Sequence, residues 1–146
     1  MNNKYDKIKL ENQLCFPLYV CSKEIIRKYK PLLDKLDLTY TQYIVMMVLW
    51  EKKSLSVKEL GDFLYLDSGT LTPLLKKIEQ KGFITRERDA TDERLLNVKV
   101  TNDGLKLRDE ALLIPKEMES CINLNQDEII LLYKILYKIL DNVKGE

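Results

Sequence analysis

Two long segments, one near each end of the chain, carry apolar residues at every third or fourth position. This spacing gathers apolar side chains on one side of an α-helix. The first segment runs from Leu18 to Leu36, within limits set by Pro17 and Pro31, because proline is tolerated in a first turn but kinks a helix interior. The second follows a capping box at Asn125–Glu128. Their stripes predict a symmetric dimer that is unstable as a monomer: Ile25, Leu32 and Leu36 in the first, and Ile129, Leu132, Leu136 and Leu140 in the second.

Three further helices are predicted between these segments. Thr41 to Trp50 is nearly all apolar and predicts a buried central helix. Ser56–Glu59 is a capping box that opens a short helix, since each side chain can accept from the other residue's free N–H. A second helix is predicted from Ser68 to Lys81, and Gly82 follows where a left-handed cap is needed.

The period then changes to alternation. Residues 83–88 and 96–100 are strand-like, and the segment between them is rich in turn residues, so they predict a β-hairpin. Helix resumes at Thr101–Gly104 and is interrupted or bent at Pro115. A helix, a turn, a second helix and a hairpin, in that order, predict a mainly α winged helix-turn-helix with a small β-hairpin wing.

The second helix has the features of a helix that reads DNA. At 1.5 Å per residue it is roughly 20 Å long and fits a major groove, and helix N-termini favour phosphate. Asp67 caps the helix or accepts from a cytosine amine. An arginine at a hairpin tip can enter a narrow minor groove. The candidate DNA-binding residues are Asp67, Ser68, Thr70, Thr72, Lys76, Lys77, Arg86, Asp92 and Arg94. Each residue alone also suits an ordinary cap, a solvated face or a surface ion pair, and only their order favours DNA.

Composition narrows the possible chemistry. The 146 residues include 24 basic and 23 acidic side chains, for a formal net charge of +1. This near balance argues against a polycation that coats nucleic acid without selectivity. The sequence has no histidine and three cysteines, which excludes histidine bases and histidine metal sites and disfavours a zinc knuckle or a disulfide framework. We therefore expect a protein that is not an enzyme and uses no metal or cofactor.

The longest apolar run, Tyr43 to Trp50, is too short to cross a bilayer, which needs roughly 20 residues. The segment Met1 to Lys9 is polar and does not read as a secretory signal. With an odd number of cysteines, this predicts a cytoplasmic protein with free thiols and no membrane contact.

The sequence resembles the MarR family of bacterial transcription regulators across nearly its whole length. Residues 66–86 and 89–94 carry the family pattern, and residues 14–16, 29–36 and 39–40 are similar to its organic-hydroperoxide regulator branch, OhrR. The resemblance implies one domain over residues 1–146, with a winged helix-turn-helix at about 54–100 and interlocked dimerisation helices at about 10–36 and 102–144. It implies a homodimer on a pseudo-palindromic double-stranded DNA operator, acting as a repressor. It also implies that Ser68, Thr70 and Arg94 meet DNA, with Arg94 in the minor groove and Asp92 bracing it.

The same resemblance assigns a redox switch. Cys15 becomes a thiolate that an organic hydroperoxide oxidises to sulfenic acid, with Tyr29 and Tyr40 of the partner subunit donating to it and Tyr19 nearby. Some members of the branch pair this cysteine with one near position 121 of the partner chain, so Cys121 is the candidate resolving thiol. On one helix Cys21 lies about 9 Å along from Cys15, beyond the roughly 4.4–6.8 Å between disulfide Cα atoms, and we expect it in the core.

Other interpretations remain open at this point. Cys15, set among apolar neighbours, also suits a buried structural cysteine. A MarR-type repressor that answers phenolic ligands or general oxidants fits the same pattern. A thiol peroxidase is a third possibility, although such enzymes are usually built on α/β folds with several strands. A winged helix used only for protein contacts is a fourth, and steep salt dependence of DNA binding would argue against it.

Overall fold

The computed structural model describes residues 3–145, which fall into two compact units that meet between Ile114 and Pro115 in the sequence. Short 3-10 turns cover Lys4–Ile8, Leu10–Asn12 and Ala111–Leu113. The α-helices are α1 (Cys15–Asp34), α2 (Tyr40–Lys52), α3 (Val57–Leu64), α4 (Ser68–Gln80), α5 (Asn102–Glu110), α6 (Ile114–Ile122) and α7 (Gln126–Lys144). The strands are β1 (Ser54–Ser56), β2 (Ile84–Arg88) and β3 (Leu96–Val100). The prediction of a mainly helical fold with a small β wing is confirmed.

Local capping signals set the ends of several helices as predicted. Asp67 accepts from the backbone N–H of Thr70 at 2.8 Å and so begins α4. After α4, Gly82 takes a φ of +83°, the left-handed region that favours glycine. Asn125 and Glu128 form the reciprocal capping box that begins α7. These helix ends are encoded within four residues of sequence each.

Helix α1 differs from its prediction at both prolines. It begins at Cys15, three residues earlier than expected, because Pro17 lies in the first turn, where a missing N–H has no partner to lose. It also continues through Pro31 to Asp34, so that only one turn follows the proline. Pro115 lies in the first turn of α6 in the same way, and the helix breaks before it, in the 3-10 turn Ala111–Leu113.

The sheet has three strands in the order β1-β3-β2, so the two-stranded prediction missed β1. Ser54 pairs with Lys99 and Ser56 with Asn97, which joins β1 to the hairpin. Ser56 is therefore both the end of a strand and the cap of α3, and only half of the predicted capping box forms. Its hydroxyl accepts from the N–H of Glu59 at 3.1 Å, and the Glu59 carboxylate accepts from that hydroxyl at 3.2 Å instead of from the Ser56 backbone.

Helix α2 lies at the centre of the first unit, as its apolar run predicts. Val45, Met46 and Leu49 are completely buried. The indole N–H of Trp50 donates to the carbonyl oxygen of Gly104 at 2.8 Å, which ties α2 to α5. A Cβ atom at Gly104 would lie 2.2 Å from the Phe83 carbonyl oxygen, so only glycine allows this close approach. The core therefore holds α2, the sheet and α5 in fixed relation.

Long apolar surfaces stay uncovered on α1 and α7. Leu33 is the buried residue of α1, and α7 buries none of its described residues. Leu131 on α7 is 58% exposed, and Tyr133 and Tyr137 stack on the same helix with ring centroids 4.7 Å apart. Exposed apolar surface of this extent marks a protein contact. None of the helices within residues 3–145 combines the length and hydropathy needed to span a membrane.

Candidate functional site

The first turn of α4 presents a small polar surface. Ser68, Thr70 and Thr72 are all exposed. The Thr72 hydroxyl donates to the Ser68 carbonyl oxygen at 2.8 Å and keeps lone pairs for a donor from outside. Lys76 and Lys77 are exposed further along the same helix. A carboxylate at this surface would repel phosphate. Asp67 is present because it caps α4, and its side chain accepts from the N–H of Thr70.

The wing carries Arg94 just before β3, with its side chain 89% exposed. The Arg94 guanidinium donates to both oxygens of the Asp92 carboxylate, from Nε at 3.0 Å and from Nη2 at 3.0 Å. Hydrogen bonds from Arg94 hold the pKa of Asp92 below its usual value. The turn itself is fixed by Asp89, which accepts from the Thr91 hydroxyl and from Asn97, and these bonds keep its pKa far below the ordinary range. Arg94 is therefore oriented before any ligand arrives.

Arg86 is placed differently from the other candidate DNA contacts. Its Nη2 donates to Glu79 Oε1 at 3.1 Å, and its backbone N–H donates to Glu79 Oε2 at the same distance. These bonds hold the pKa of Glu79 below its usual value. The Arg86 side chain is mostly buried, and among the described residues its Nε has no hydrogen-bond partner. Arg86 therefore joins α4 to β2, and its contact with DNA stays a prediction.

A groove of about 450 Å³ brings the two polar surfaces together. It lies between α3, the start of α4 and the wing, and Ser68, Thr72 and Arg94 all line it. Lys76 and Lys77 lie outside it, farther along α4. Residues predicted from two separate segments thus face one concave surface within the first unit.

Cys15 is the first residue of α1 and is exposed, not buried among apolar side chains. Tyr19 follows one turn later and is 63% exposed. Tyr29 and Tyr40 stack with ring centroids 5.0 Å apart, but they lie toward the other end of α1. At 1.5 Å per residue, Tyr29 is about 21 Å along the helix from Cys15. One chain therefore does not bring its own Cys15 to its own tyrosine pair.

A third tyrosine completes this aromatic cluster. Tyr43 lies 5.9 Å from Tyr29 and 6.3 Å from Tyr40 between ring centroids, and it reaches Trp50 at 6.2 Å. The apolar run of α2 predicts only that Tyr43 is buried, although its spacing from Tyr40 puts both on one face of α2. Burial raises the pKa of Tyr29 and of Tyr40 above the usual value of 10.0. Both phenols consequently remain protonated hydrogen-bond donors at neutral pH.

The other two cysteines are also exposed. The expectation that Cys21 belongs to the core is wrong, because α1 turns most of its surface to solvent in the single chain. Cys121 lies on α6, in the second unit.

Comparison with known proteins places the chain in a family. The model of the transcriptional regulator SarA/Rot family matches residues 27–111. The organic hydroperoxide resistance transcriptional regulator of Bacillus subtilis (strain 168) is 48% identical over 143 residues, 98% of this chain and 97% of that protein.

Two solved proteins extend the likeness to the fold. Reduced AbfR of Staphylococcus epidermidis bound to DNA is 33% identical with a TM-score of 0.79, over 97% of this chain and 99% of the other. Disulfide-formed AbfR has a TM-score of 0.65 at 32% identity, over 98% of this chain and 97% of the other. A mutant of MarR from E. coli, complexed with operator DNA, is 25% identical with a TM-score of 0.82, over 95% and 99%.

These relatives are named as regulators, and the thiol peroxidase interpretation is not favoured. The protein is a regulator and not an enzyme. Helix order, wing and sequence matches agree: the chain belongs to the MarR family of transcriptional regulators, in the branch of the organic-hydroperoxide regulators.

Proposed function

We propose that the protein is a dimeric repressor that binds a DNA operator when reduced, senses organic hydroperoxides through Cys15, and releases the operator when oxidised. The name of the Bacillus subtilis relative supports the oxidant class. The DNA-bound structures of AbfR and MarR support binding to a DNA operator. Binding to DNA further implies that the protein works in the cytoplasm.

One observation carries the sensing part of the proposal. Cys15 is exposed at one end of α1, whereas the protonated Tyr29 lies about 21 Å along that helix and stacks there on Tyr40 of α2. Phenolic O–H groups can stabilise a thiolate only within hydrogen-bond reach. In a symmetric dimer each chain's Cys15 meets Tyr29 and Tyr40 of the partner subunit, and two equal sensing sites result.

The chemistry at Cys15 is a two-electron oxidation. The thiolate attacks one oxygen of the hydroperoxide, an S–O bond forms, and the O–O bond breaks. The other oxygen leaves as alkoxide, takes a proton and departs as an alcohol, which leaves Cys15 as sulfenic acid. The thiolate of the partner's Cys121 then attacks that sulfur, an S–S bond forms, and the S–O bond breaks. The hydroxide that is displaced takes a proton from solvent and leaves as water.

The disulfide, and not the sulfenic acid alone, is the event that releases DNA in this proposal. AbfR supports this distinction, because its overoxidised form is bound to DNA. Its disulfide form is less similar to this chain, with a TM-score of 0.65, than its reduced DNA-bound form, with a TM-score of 0.79. A disulfide restricts two Cα atoms to about 7 Å or less. Bringing α1 of one chain and α6 of the other to that distance shifts the two copies of α4, the recognition helices, which then lose their register on the phosphates.

The DNA-binding surface consists of the start of α4 in the major groove and Arg94 in the minor groove. The groove that Ser68, Thr72 and Arg94 share supports this arrangement. The exposed stripes of α1 and α7 form the dimer interface, which sets two wings about 34–36 Å apart on a pseudo-palindrome.

Binding to the DNA upstream of its own gene tests the proposal. Fluorescence anisotropy is measured for reduced protein, after one equivalent of cumene hydroperoxide, and after dithiothreitol. We expect binding, release and recovery. The Cys15→Ser variant should bind in all three conditions, and a Cys15→Ser protein that still releases DNA on oxidation overturns the assignment.

The remaining cysteines provide matched variants. Cys121→Ser should form sulfenic acid, show no crosslinked dimer on a non-reducing gel, and stay on DNA. Cys21→Ser should behave as the wild type. Crosslinking that persists in Cys121→Ser and vanishes in Cys21→Ser assigns the resolving thiol to Cys21.

A further inference from the structure

The C-terminal end of the recognition helix α4 is tied to the first turn of α2, which holds the sensing residue Tyr40. Lys81, the cap residue at the C-terminus of α4, extends its ammonium to the loop between α1 and α2. It donates to the Gln42 side-chain oxygen Oε1 at 2.9 Å and to the Asp37 carbonyl oxygen. Its Nζ also lies 3.5 Å from the Asp37 carboxylate. The sequence gives no local sign of this link, since Lys81 is 39 residues from Gln42.

Gln42 is the central member of the link and is only 3% exposed. Its Oε1 accepts a second hydrogen bond, from the backbone N–H of Thr39 at 3.0 Å. The Thr39 side chain in turn accepts from the N–H of Gln42, which completes the capping box of α2. One buried oxygen therefore joins the first turn of α2 to the C-terminal cap residue of α4.

That first turn carries a sensing tyrosine. Tyr40 directly follows the Thr39 cap, and it stacks on Tyr29. Any change in what the Tyr40 hydroxyl binds acts on the same turn that Gln42 and Lys81 hold. We propose that Lys81 is the positioning residue that couples the sensing site to the recognition helix, acting through Gln42. This inference rests on the proposed function, because it needs a protein that releases DNA on oxidation.

Substituting Lys81 interrupts the link with little other damage. In Lys81→Met the Gln42 oxygen keeps its bond from Thr39, so no buried acceptor is left without a donor. The Asp37 side chain is exposed, so water replaces the lost ion pair there. Lys81→Arg keeps the charge and the donors and serves as the rescue variant. Lys106→Met is the matched control. It also removes a lysine that forms an ion pair, but that pair is with Asp103 on α5 and is not part of this link.

The measurement is the ratio of operator Kd after and before oxidation with cumene hydroperoxide. In Lys81→Met we expect this ratio to fall at least about fivefold, the lower range for coupling between two sites. The reduced Kd should change less than about threefold, since the contacts of the α4 N-terminus are intact. Lys81→Arg should restore the ratio, and Lys106→Met should leave it at the wild-type value. In a Gln42→Met background, Lys81→Met should have no further effect on the ratio.

The outcomes separate the two proposals. A wild-type protein that does not release DNA on oxidation contradicts the proposed function itself. The coupling role is wrong if the wild type releases DNA on oxidation and Lys81→Met has the same ratio of oxidised to reduced Kd. This includes the case in which Lys81→Met raises both Kd values by an equal factor. Should Lys81→Met fail to fold, Gln42→Glu takes its place. Its charged acceptor strengthens the link, and an unchanged or smaller ratio overturns the inference.

Discussion

The sensing site should be complete only when two chains contribute to it, and mixed dimers can show this. One chain carries Cys15→Ser and keeps Tyr29 and Tyr40, and the other carries Tyr29→Phe with Tyr40→Phe and keeps Cys15. Along α1, about 21 Å separate Cys15 from Tyr29, several times the length of a hydrogen bond. In the mixed dimer, therefore, the surviving Cys15 faces intact tyrosines on the other chain.

The size of the effect follows from the hydrogen bonds removed. A hydrogen bond to an ionised group contributes about 1.5–3 kcal/mol, so losing even one should slow the reaction of Cys15 with peroxide by about tenfold or more. We expect this slow rate in the homodimer of the double Phe chain and the wild-type rate in the mixed dimer. In an unsorted equal mixture, about half of the Cys15 thiols should recover, the fraction that random pairing places in mixed dimers.

The assay uses two affinity tags, one on each chain, and tandem purification of the mixed dimer. A sulfenic-acid probe with stopped-flow mixing then gives the rate of Cys15 oxidation. The wild-type homodimer and the double Phe homodimer set the upper and lower limits. A mixed dimer that reacts as slowly as the double Phe homodimer refutes the reasoning, because it places each Cys15 with the tyrosines of its own chain.

Three other outcomes are expected. Arg94→Ala should weaken operator binding about tenfold or more per wing and leave the melting temperature unchanged, as checked by anisotropy and thermal melts; unchanged affinity contradicts the minor-groove assignment. Gly104→Ala should destabilise the fold by about 3 kcal/mol in urea unfolding, whereas Gly69→Ala, whose Cβ would only make an ordinary contact 3.4 Å from Asp67 Oδ1, should be neutral or stabilising. Burial raises the pKa of Tyr29 and Tyr40, so their contribution to stability is present below about pH 10 and is lost as pH rises through the raised values. Alkaline unfolding should be less steep in the double Phe variant, and equal slopes contradict this.

The sequence predicted most accurately the elements that begin and end on local signals. Helix α4 was placed within one residue because Asp67 and Gly82 act on their immediate neighbours. Strand β1 was missed because three residues, Ser54–Ser56, carry no period of their own and become a strand only by pairing with β3, which lies some forty residues later. Sequence patterns report local backbone preference, and pairing partners lie outside them.

The site shows the same division between local and distant information. Arg94 and the wing turn could be anticipated from residue type and position. Arg86 could not be separated from them, since its pairing with Glu79 depends on how β2 packs on α4. The tyrosine cluster was anticipated in part: the family resemblance supplied Tyr29 and Tyr40, but the packing of α1 on α2 is what brings Tyr43 beside Tyr29.

In the proposed mechanism, the C-terminal turn of α4 is where the sensing and DNA-reading parts of the first unit join. Glu79 fixes that turn to β2 and the wing, and Lys81, two residues later, fixes it to the first turn of α2. The DNA-facing end of the helix, at Ser68, lies 11 residues before Glu79, about 17 Å away at 1.5 Å per residue. A tilt of about 10° at the held end therefore moves the far end by about 3 Å, the length of a hydrogen bond. Because base readout fails at that displacement, a tilt of this size is sufficient to abolish operator recognition, and the helix itself need not unfold.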